Sequence, residues 1–273
     1  MNQKILSVCI PVYNGEEYIE EAILSVLEQS FKDYELLIID NQSTDNTYTL
    51  LQKFTDPRIK LFRNDTNLGL VGNFNRALEL AEGKYIKILP ADDFLYPGCL
   101  QMQVDVLEQD KENKIALVCG RKNIINAKGK VLFNRGFANK RTEVSGFDAI
   151  NKVVRAGGNI IGEAGAVMFR KDIIAKAGLF SNDVFYALDL ELFFKMLCFG
   201  NLYALPDVVS SFRISNNSTS VHVVDRQRAD LVIFFNKIYA DKKFNLSWTN
   251  YKMGLMTSWA LTNLKKILYK FSV

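Results

Sequence analysis

The 273-residue chain lacks most of the residue patterns that announce a chemistry by themselves. Its one histidine, His222, has no cysteine or second histidine at metal-ligand spacing, so an imidazole-built metal site has no support and a surface role is expected. The four cysteines, Cys9, Cys99, Cys119 and Cys198, lie far apart with no C-x-x-C pair. They read as buried free thiols of a reducing compartment, not as a disulfide framework. No apolar run approaches the roughly 18 residues of a membrane-spanning helix. The N-terminus enters an apolar strand without the long apolar core and cleavage site of a signal peptide, so a cytoplasmic location is expected.

Three glycine motifs are missing as well. The first strand runs into Pro11-Val12-Tyr13-Asn14-Gly15 and not into G-x-G-x-x-G, which removes the pyrophosphate cradle of a dinucleotide oxidoreductase. A G-x-S-x-G elbow is absent, and with it the support for a nucleophilic hydrolase. No Gly-rich triphosphate loop with Lys or Arg follows the first strand, against a nucleotidyltransferase. Thirty-four Lys and Arg against thirty Asp and Glu give +4, too thin for a nucleic-acid face but suited to a phosphate-bearing substrate or an anionic membrane surface.

What is present is an alternating α/β pattern. Hydrophobic residues make up 48% and charged residues 23%, ordinary globular values, and the length fits one large α/β domain or a domain with a small appendage. Strands are expected at Lys4 to Ile10, Tyr34 to Asp40, Arg58 to Phe62 and Tyr85 to Leu89, the last an apolar run suited to burial on both faces. Between them, Ile19, Ala22, Ile23, Val26 and Leu27 make one helical stripe, a helix of about ten residues follows Asp45, and Leu70 to Ala81 is helical with Gly83 as its cap. The second half reads as Ile115 to Cys119, a hairpin over 121 to 134, a helix at 187 to 199 and a strand at 207 to 213. Two helices, 223 to 240 and 245 to 271, end the chain.

Three acidic clusters fall where such a sheet binds ligands, outside the carboxyl ends of its strands. Asp40-Asn41-Gln42-Ser43-Thr44-Asp45 ends the second strand, where a carboxylate can accept from a base or ribose, although helix capping uses the same residue types. Asp92-Asp93 ends a buried strand, and adjacent repelling carboxylates there suit a hard divalent cation better than a solvated turn. Asp189-Leu190-Glu191 begins a helix, which is either favourable placement at the helix dipole or a general base for an acceptor hydroxyl.

These clusters, with Ser7-Val8-Cys9-Ile10-Pro11-Val12-Tyr13-Asn14, Asn67-Leu68-Gly69, Ala81-Glu82-Gly83-Lys84-Tyr85-Ile86 and Ser211-Phe212-Arg213-Ile214, form an ordered set over about residues 4 to 220. The set resembles the family 2 glycosyltransferases. The resemblance implies a GT-A fold, a Rossmann-like, mostly parallel central sheet flanked by helices, and inverting transfer from a nucleotide sugar to a hydroxyl of a saccharide or lipid-linked acceptor, in surface-polysaccharide synthesis. It places Pro11, Tyr13 and Asp40 at the nucleotide base, and Asn14, Asn67, Gly69, Asn75 and Asp92 along the donor. Asp92 and Asp93 would hold Mn2+ or Mg2+, Asp189 would be the general base, and Glu163, Glu191 and Arg213 would face the acceptor. A catalytically silent nucleotide-sugar-binding protein on the same fold is the runner-up, which retention of all three acids argues against.

The pattern departs from the family at Pro90-Ala91, where a first acid often stands, at Leu188 before the base, at Phe74 in place of a common arginine and at Ser215 in place of a common histidine. The catalytic domain is set at 1–222 and a helical extension at 223–273. The extension carries Leu255, Trp259, Leu261, Leu264, Ile267, Leu268 and Phe271 with Lys265, Lys266 and Lys270. Such a basic, aromatic helix suits the inner face of an anionic membrane, and equally a core-closing helix or a homodimer contact.

Overall fold

A computed structural model describes residues 4–214 and 224–272; His222 and Ser215 lie outside the described residues, as do the side chains from Leu264 onward. The elements run β1 (Leu6–Val12), α1 (Ile19–Leu27), β2 (Tyr34–Asp40), α2 (Thr47–Leu51), β3 (Ile59–Arg63), α3 (Gly69–Leu80), β4 (Tyr85–Ile88) and α4 (Cys99–Gln109). Then come β5 (Ile115–Asn126), β6 (Val131–Arg135), β7 (Thr142–Val144), α5 (Gly146–Arg155), β8 (Val167–Arg170), α6 (Ile174–Ala177), α7 (Leu188–Leu197), β9 (Asn201–Ile214), α8 (Val224–Ala240) and α9 (Trp248–Ser272).

The strands form one sheet in the order β3-β2-β1-β4-β8-β5-β9-β7, with β6 paired to β5. Pairing is parallel from β3 to β4 and again between β5 and β9, and antiparallel where β8, β6 and β7 join. The chain therefore steps outward through β1, β2 and β3 and returns to lay β4 on the other side of β1. That reversal opens a crevice at the carboxyl ends of β1 and β4.

Strand alternation builds a core on each face of the sheet. Leu6, Val8 and Ile10 pack with Ile19, Ile23 and Val26 of α1 and Val104 and Leu107 of α4. Cys9, Leu37 and Ile39 face the other way, into a core shared by Phe74 and Ala77 of α3, Val153 of α5 and Phe193 of α7. Leu231, Phe234, Phe235 and Ile238 of α8 join that second core. One face of α9 also packs inward, burying Ser258 and setting Gly254 against the Val154 carbonyl, so the C-terminal helix closes the core.

Several expected elements change on inspection. The second helix has five residues, because after Leu51 the chain tightens into i→i+3 bonds from Lys53 to the Leu50 carbonyl and from Phe54 to that of Leu51. β9 is 14 residues long and carries Pro206 inside it. Pro206 is tolerated because the register to β5 shifts there, between the Cys119–Ala204 and Arg121–Val208 pairs. The apolar run of β4 is broken by Lys87, which is fully buried and donates to Gln103 Oε1 and to the Gly165 carbonyl, each at 2.8 Å. Burial pushes its pKa down.

Gly83 does not cap α3, whose C-cap is Ala81. It lies where the chain crosses β1, donating its N–H to Ser7 Oγ at 2.8 Å. A Cβ there would stand 2.4 Å from the Ser7 nitrogen and 2.6 Å from the Leu6 carbonyl carbon, and backbone cannot step aside. Gly83→Ala is expected to cost about 2–4 kcal/mol by overpacking, read as a lower midpoint in urea with an unchanged m-value. A midpoint equal to the native one would show that β1 and β4 can separate at this crossing.

Candidate active site

The loops after β1 and β2 are clamped together at the mouth of the crevice. Asn14, in the left-handed region at φ 51, donates its N–H to Ser43 Oγ at 2.9 Å and accepts from the Thr44 N–H at 2.8 Å. Gly15 donates to Thr47 Oγ1 at 2.8 Å. Pro11 is buried within β1 opposite Ile39, while Tyr13 stands at the rim, 47% exposed. Asp40 ends β2 opposite Val12 and is wholly buried. Its Oδ1 accepts from the Ser43 N–H at 3.1 Å. Its Oδ2 lies 3.2 Å from Arg63 Nε, but off the hydrogen-bonding line, and has no hydrogen-bond partner. That oxygen has the Arg63 charge beside it but no aligned hydrogen bond, and can accept one from a ligand.

Beside it four asparagines lock the start of α3. Asn41 donates to Asn67 Oδ1 at 2.8 Å and accepts from Asn64 and from the Leu68 N–H, both at 2.9 Å. Asn64 also donates to Asn73 Oδ1 at 2.9 Å, and the Gly69 N–H donates to Asn67 Oδ1 at 2.8 Å. Gly69 sits at φ 72 with open space around its Cβ position, so the turn needs glycine for its dihedral angle and not for room. Asn75 is placed elsewhere. It exchanges two hydrogen bonds with the Phe180 backbone, at 3.0 and 2.9 Å, and so pins the loop before α7 to α3. Phe74, at the position of the family's common arginine, meets the Phe180 ring edge-on at 5.4 Å.

At the end of β4 the two acids differ. Asp93 is buried, and its Oδ1 accepts from the Arg213 N–H at 2.7 Å, with Ser211 Oγ at 3.4 Å. Burial first, and the neighbouring Asp92 second, raise its pKa well above the usual carboxylate range. Burial also raises that of Asp92, whose side chain has no hydrogen bond to another described residue in this arrangement. Arg213 does not reach an acceptor subsite. It is 3% exposed, donating from Nε to the Asp92 carbonyl at 2.8 Å and from a terminal nitrogen to the Ala127 carbonyl at 3.0 Å. It also pairs with Glu21 and stacks on Tyr18 at 4.2 Å. Its work is to hold the Asp92-Asp93 turn against β9.

Asp189 opens α7, and its Oδ2 accepts from the Ala164 N–H at 3.3 Å, in the tight turn Ala164–Ala166. Burial pushes its pKa up to about 6. Glu163, at the start of that turn, pairs with Lys122 of β5. Lys122 is buried, and its charge works against burial at both Asp93 and Asp189, lowering each pKa. The sequence reading missed it. Its neighbours Arg121 and Asn123 are polar as well, so nothing in the sequence set it apart from a solvated strand face.

Glu191 does not face the acceptor either. It is 2% exposed and bonded to Lys237 at 2.9 Å, Ser181 at 2.9 Å and Lys195 at 3.2 Å. Burial raises its pKa, but the bonds from Lys237 and Ser181 outweigh burial and leave it below the usual value. Two residues along α7 is about 200° of rotation, which carries Glu191 away from Asp189 and toward α8.

Comparison with known proteins agrees with this architecture. The chain is 31% identical over 236 residues to an uncharacterized protein of Mycobacterium tuberculosis, across 82% of this chain and 74% of that one. It is 25% identical to an uncharacterized glycosyltransferase of Rickettsia typhi, across 79% of this chain and 66% of that one. It is also 37% identical over 126 residues to the UDP-Glc:alpha-D-GlcNAc-diphosphoundecaprenol beta-1,3-glucosyltransferase WfgD of Escherichia coli, across 46% of this chain and 49% of that enzyme. The fold matches Staphylococcus aureus TarS in complex with UDP-GlcNAc at a TM-score of 0.70, with 18% identity over 93% of this chain and 71% of that one. It matches the mannosyltransferase PcManGT of Pyrobaculum calidifontis, in complex with GDP-Man and Mn2+, at 0.66, with 20% identity over 94% and 69%. The fold is therefore GT-A, and a silent binding protein finds no support among these relatives. Residues 7–178 match the family described as glycosyl transferase family 2, and with the acids of the crevice in place the chain belongs to that family of glycosyltransferases.

Proposed function

We propose that this chain moves a sugar, with inversion, from a UDP- or dTDP-sugar to a hydroxyl of a saccharide or lipid-linked acceptor in cell-surface polysaccharide synthesis. The observation that carries the reading is Asp189, a buried carboxylate raised to about 6 that opens α7 and accepts from the Ala164 N–H, and which, like Asp93, feels the charge of buried Lys122. A base poised near neutrality on one side of the cleft and a diphosphate-binding turn on the other are the two halves of a single displacement. The named acceptor of the Escherichia coli relative, a GlcNAc diphosphoundecaprenol, supports the lipid-linked alternative.

The nucleotide base lies at Asp40, whose Oδ2 has Arg63 beside it but no aligned hydrogen bond, with Tyr13 at the rim offering a face for stacking. Asp92 is the residue suited to hold Mn2+ or Mg2+. A hard cation takes oxygen ligands and completes its shell from the donor's phosphates and water. That fits a turn with one committed acid and one uncommitted acid, and no cage of three or more acidic, histidine or cysteine ligands is present among the described residues. Such a cation would offset the charge that gathers on the departing diphosphate. Asp189 takes the acceptor hydroxyl proton as that oxygen bonds to the anomeric carbon. The bond from that carbon to the diphosphate breaks on the opposite face, and the product is inverted.

No helix among the described residues is long and apolar enough to cross a membrane. Peripheral contact with the cytoplasmic face of a membrane is supported by the outer face of α9, where Trp248, Met256 and Trp259 are 62%, 73% and 55% exposed.

Asp189→Asn should lower turnover by about 10²- to 10⁴-fold while UDP affinity stays unchanged. The native rate should fall as pH drops through about 6, where Asp189 gains a proton. The same shift has a stability sign. A carboxylate whose folded pKa is raised favours folding below its unfolded value near 4 and opposes it increasingly up to about 6, so the variant should be more stable than the native protein at pH 7.5 by about 1–2 kcal/mol, allowing for screening, and gain nothing at pH 4. Full activity in Asp189→Asn would remove the base assignment.

Asp40→Ala should weaken free UDP and the whole sugar nucleotide by the same factor, about tenfold or more for a lost charge-assisted hydrogen bond. Loss confined to sugar-bearing ligands would move Asp40 to a different subsite. Asp92→Ala should abolish the extra thermal shift that manganese gives with UDP, and unchanged UDP affinity of the native protein in EDTA would remove the metal.

A further inference from the structure

The β5–β6 hairpin carries basic residues and no acidic ones. Between Asn113 and Thr142 the chain holds eight of its 34 lysines and arginines and no aspartate or glutamate, leaving 26 to face all 30 acidic residues elsewhere. Five of the eight, Arg121, Lys122, Lys128, Lys130 and Arg135, lie in β5, β6 or the turn between them, so this hairpin is a basic, acid-free element.

That turn is rigid and its tip is basic. Asn126 Oδ1 accepts from the Lys128 and Lys130 N–H groups at 3.1 and 3.0 Å, the Gly129 N–H donates to the Asn126 carbonyl at 2.9 Å, and Gly129 takes φ 77. Lys128 and Lys130 project from it, exposed and without an ion pair to any described residue. The next three residues, Val131, Leu132 and Phe133, are 47%, 38% and 50% exposed, although their partners on β5, Ile124 and Ile125, are buried. Two lysines followed directly by three uncovered apolar side chains match a boundary that is anionic at its surface and apolar just beneath.

Position gives the surface its purpose. Ala127, at the tip, accepts from the same guanidinium of Arg213 that holds the Asp92 carbonyl, so one side chain joins the hairpin tip to the diphosphate turn. At the foot of the hairpin, Arg135 lies against Gly158, and the adjacent Gly157 packs on Thr257 and Ser258 of α9. The hairpin thus stands between the mouth of the donor site and the helix whose outer face carries Trp248 and Trp259.

We infer that the β5–β6 hairpin is a lipid-docking finger, with Lys128 and Lys130 on anionic headgroups and Val131, Leu132 and Phe133 inserted below them. This rests on charge and exposure, and holds whether or not the donor is the one proposed above. Its use to a glycosyltransferase is to bring the cleft down to the surface from which a lipid-linked hydroxyl is presented.

The test is co-sedimentation of the full chain with vesicles of phosphatidylcholine alone or with phosphatidylglycerol, in low and high salt. UDP affinity of every variant serves as the control for folding and for the donor site. The native protein should bind only the anionic vesicles and be released by salt. Lys128→Gln with Lys130→Gln should weaken partition about 25-fold, at roughly a fivefold factor per charge. Leu132→Ser with Phe133→Ser should weaken it at least tenfold. Both pairs should leave UDP affinity unchanged. Unaltered partition of the two hairpin variants, with loss only in Trp248→Ser with Trp259→Ser, would overturn the inference and assign the contact to α9. Equal binding to neutral vesicles would overturn it, as would a concentration-dependent dimer that the Phe133 variant abolishes while vesicle binding persists.

Discussion

Two neighbouring carboxylates carried out of water at the end of β4 set the terms for the structures around them. An ion in a low-dielectric site is costly unless other groups replace its hydration, and two of one sign are costlier still. The replacement comes from a strand more than a hundred residues away: β9 supplies the Arg213 N–H and the Ser211 hydroxyl to Asp93, and the Arg213 guanidinium to the Asp92 carbonyl. Lys122, from β5, adds a buried positive charge that lowers the pKa of both Asp93 and Asp189. The parallel β5–β9 pair is therefore the scaffold that makes the acidic turn tenable.

The two halves of the cleft are built on different principles. The donor half is made from loops that follow successive parallel strands, joined by short polar contacts such as Asn14 to Ser43 and Asn41 to Asn67. The other half is assembled from distant pieces, the Ala164–Ala166 turn, β5 and the first turn of α7, and is held by charge. Lys87 reaches up from the sheet to the Gly165 carbonyl, and Gln103 reaches the Ala166 carbonyl at 3.0 Å. The turn that offers an N–H to Asp189 is thus fixed from below by two buried side chains.

That difference explains what the amino-acid order revealed and what it concealed. Tyr34–Asp40 is the strand its pattern described, and the hairpin over 121 to 134 lies within β5 and β6, because periodicity and turn residues act locally. The acids at 40, 92, 93 and 189 were legible because each follows or opens a regular element at the ligand end of the sheet. Lys87 and Lys122 were not, since a buried cation is acceptable only through partners that the fold brings to it, Gly165 lying 78 residues from Lys87. Arg213 and Glu191 were found as polar residues near the site, but their partners, Ala127 and Lys237 among them, show them holding the framework. The antiparallel strand β8 has four residues, too few for a period to show, and its pairing is set by β4 and β5.

The contact between Glu191 and Lys237 also sets an order along the chain. The strands and loops of the donor half, from β1 to the acidic turn, are encoded before residue 94, but the groups that hold that turn, Ser211 and Arg213, come from β9, more than a hundred residues later. The helix bearing Asp189 gains its lysine tether only from α8, nearly fifty residues further on. A chain that ends after β9 would then keep the groups that hold the acidic turn while Glu191 lacks its Lys237 partner, so the seating of the helix that carries the base depends on a segment the acidic turn does not use.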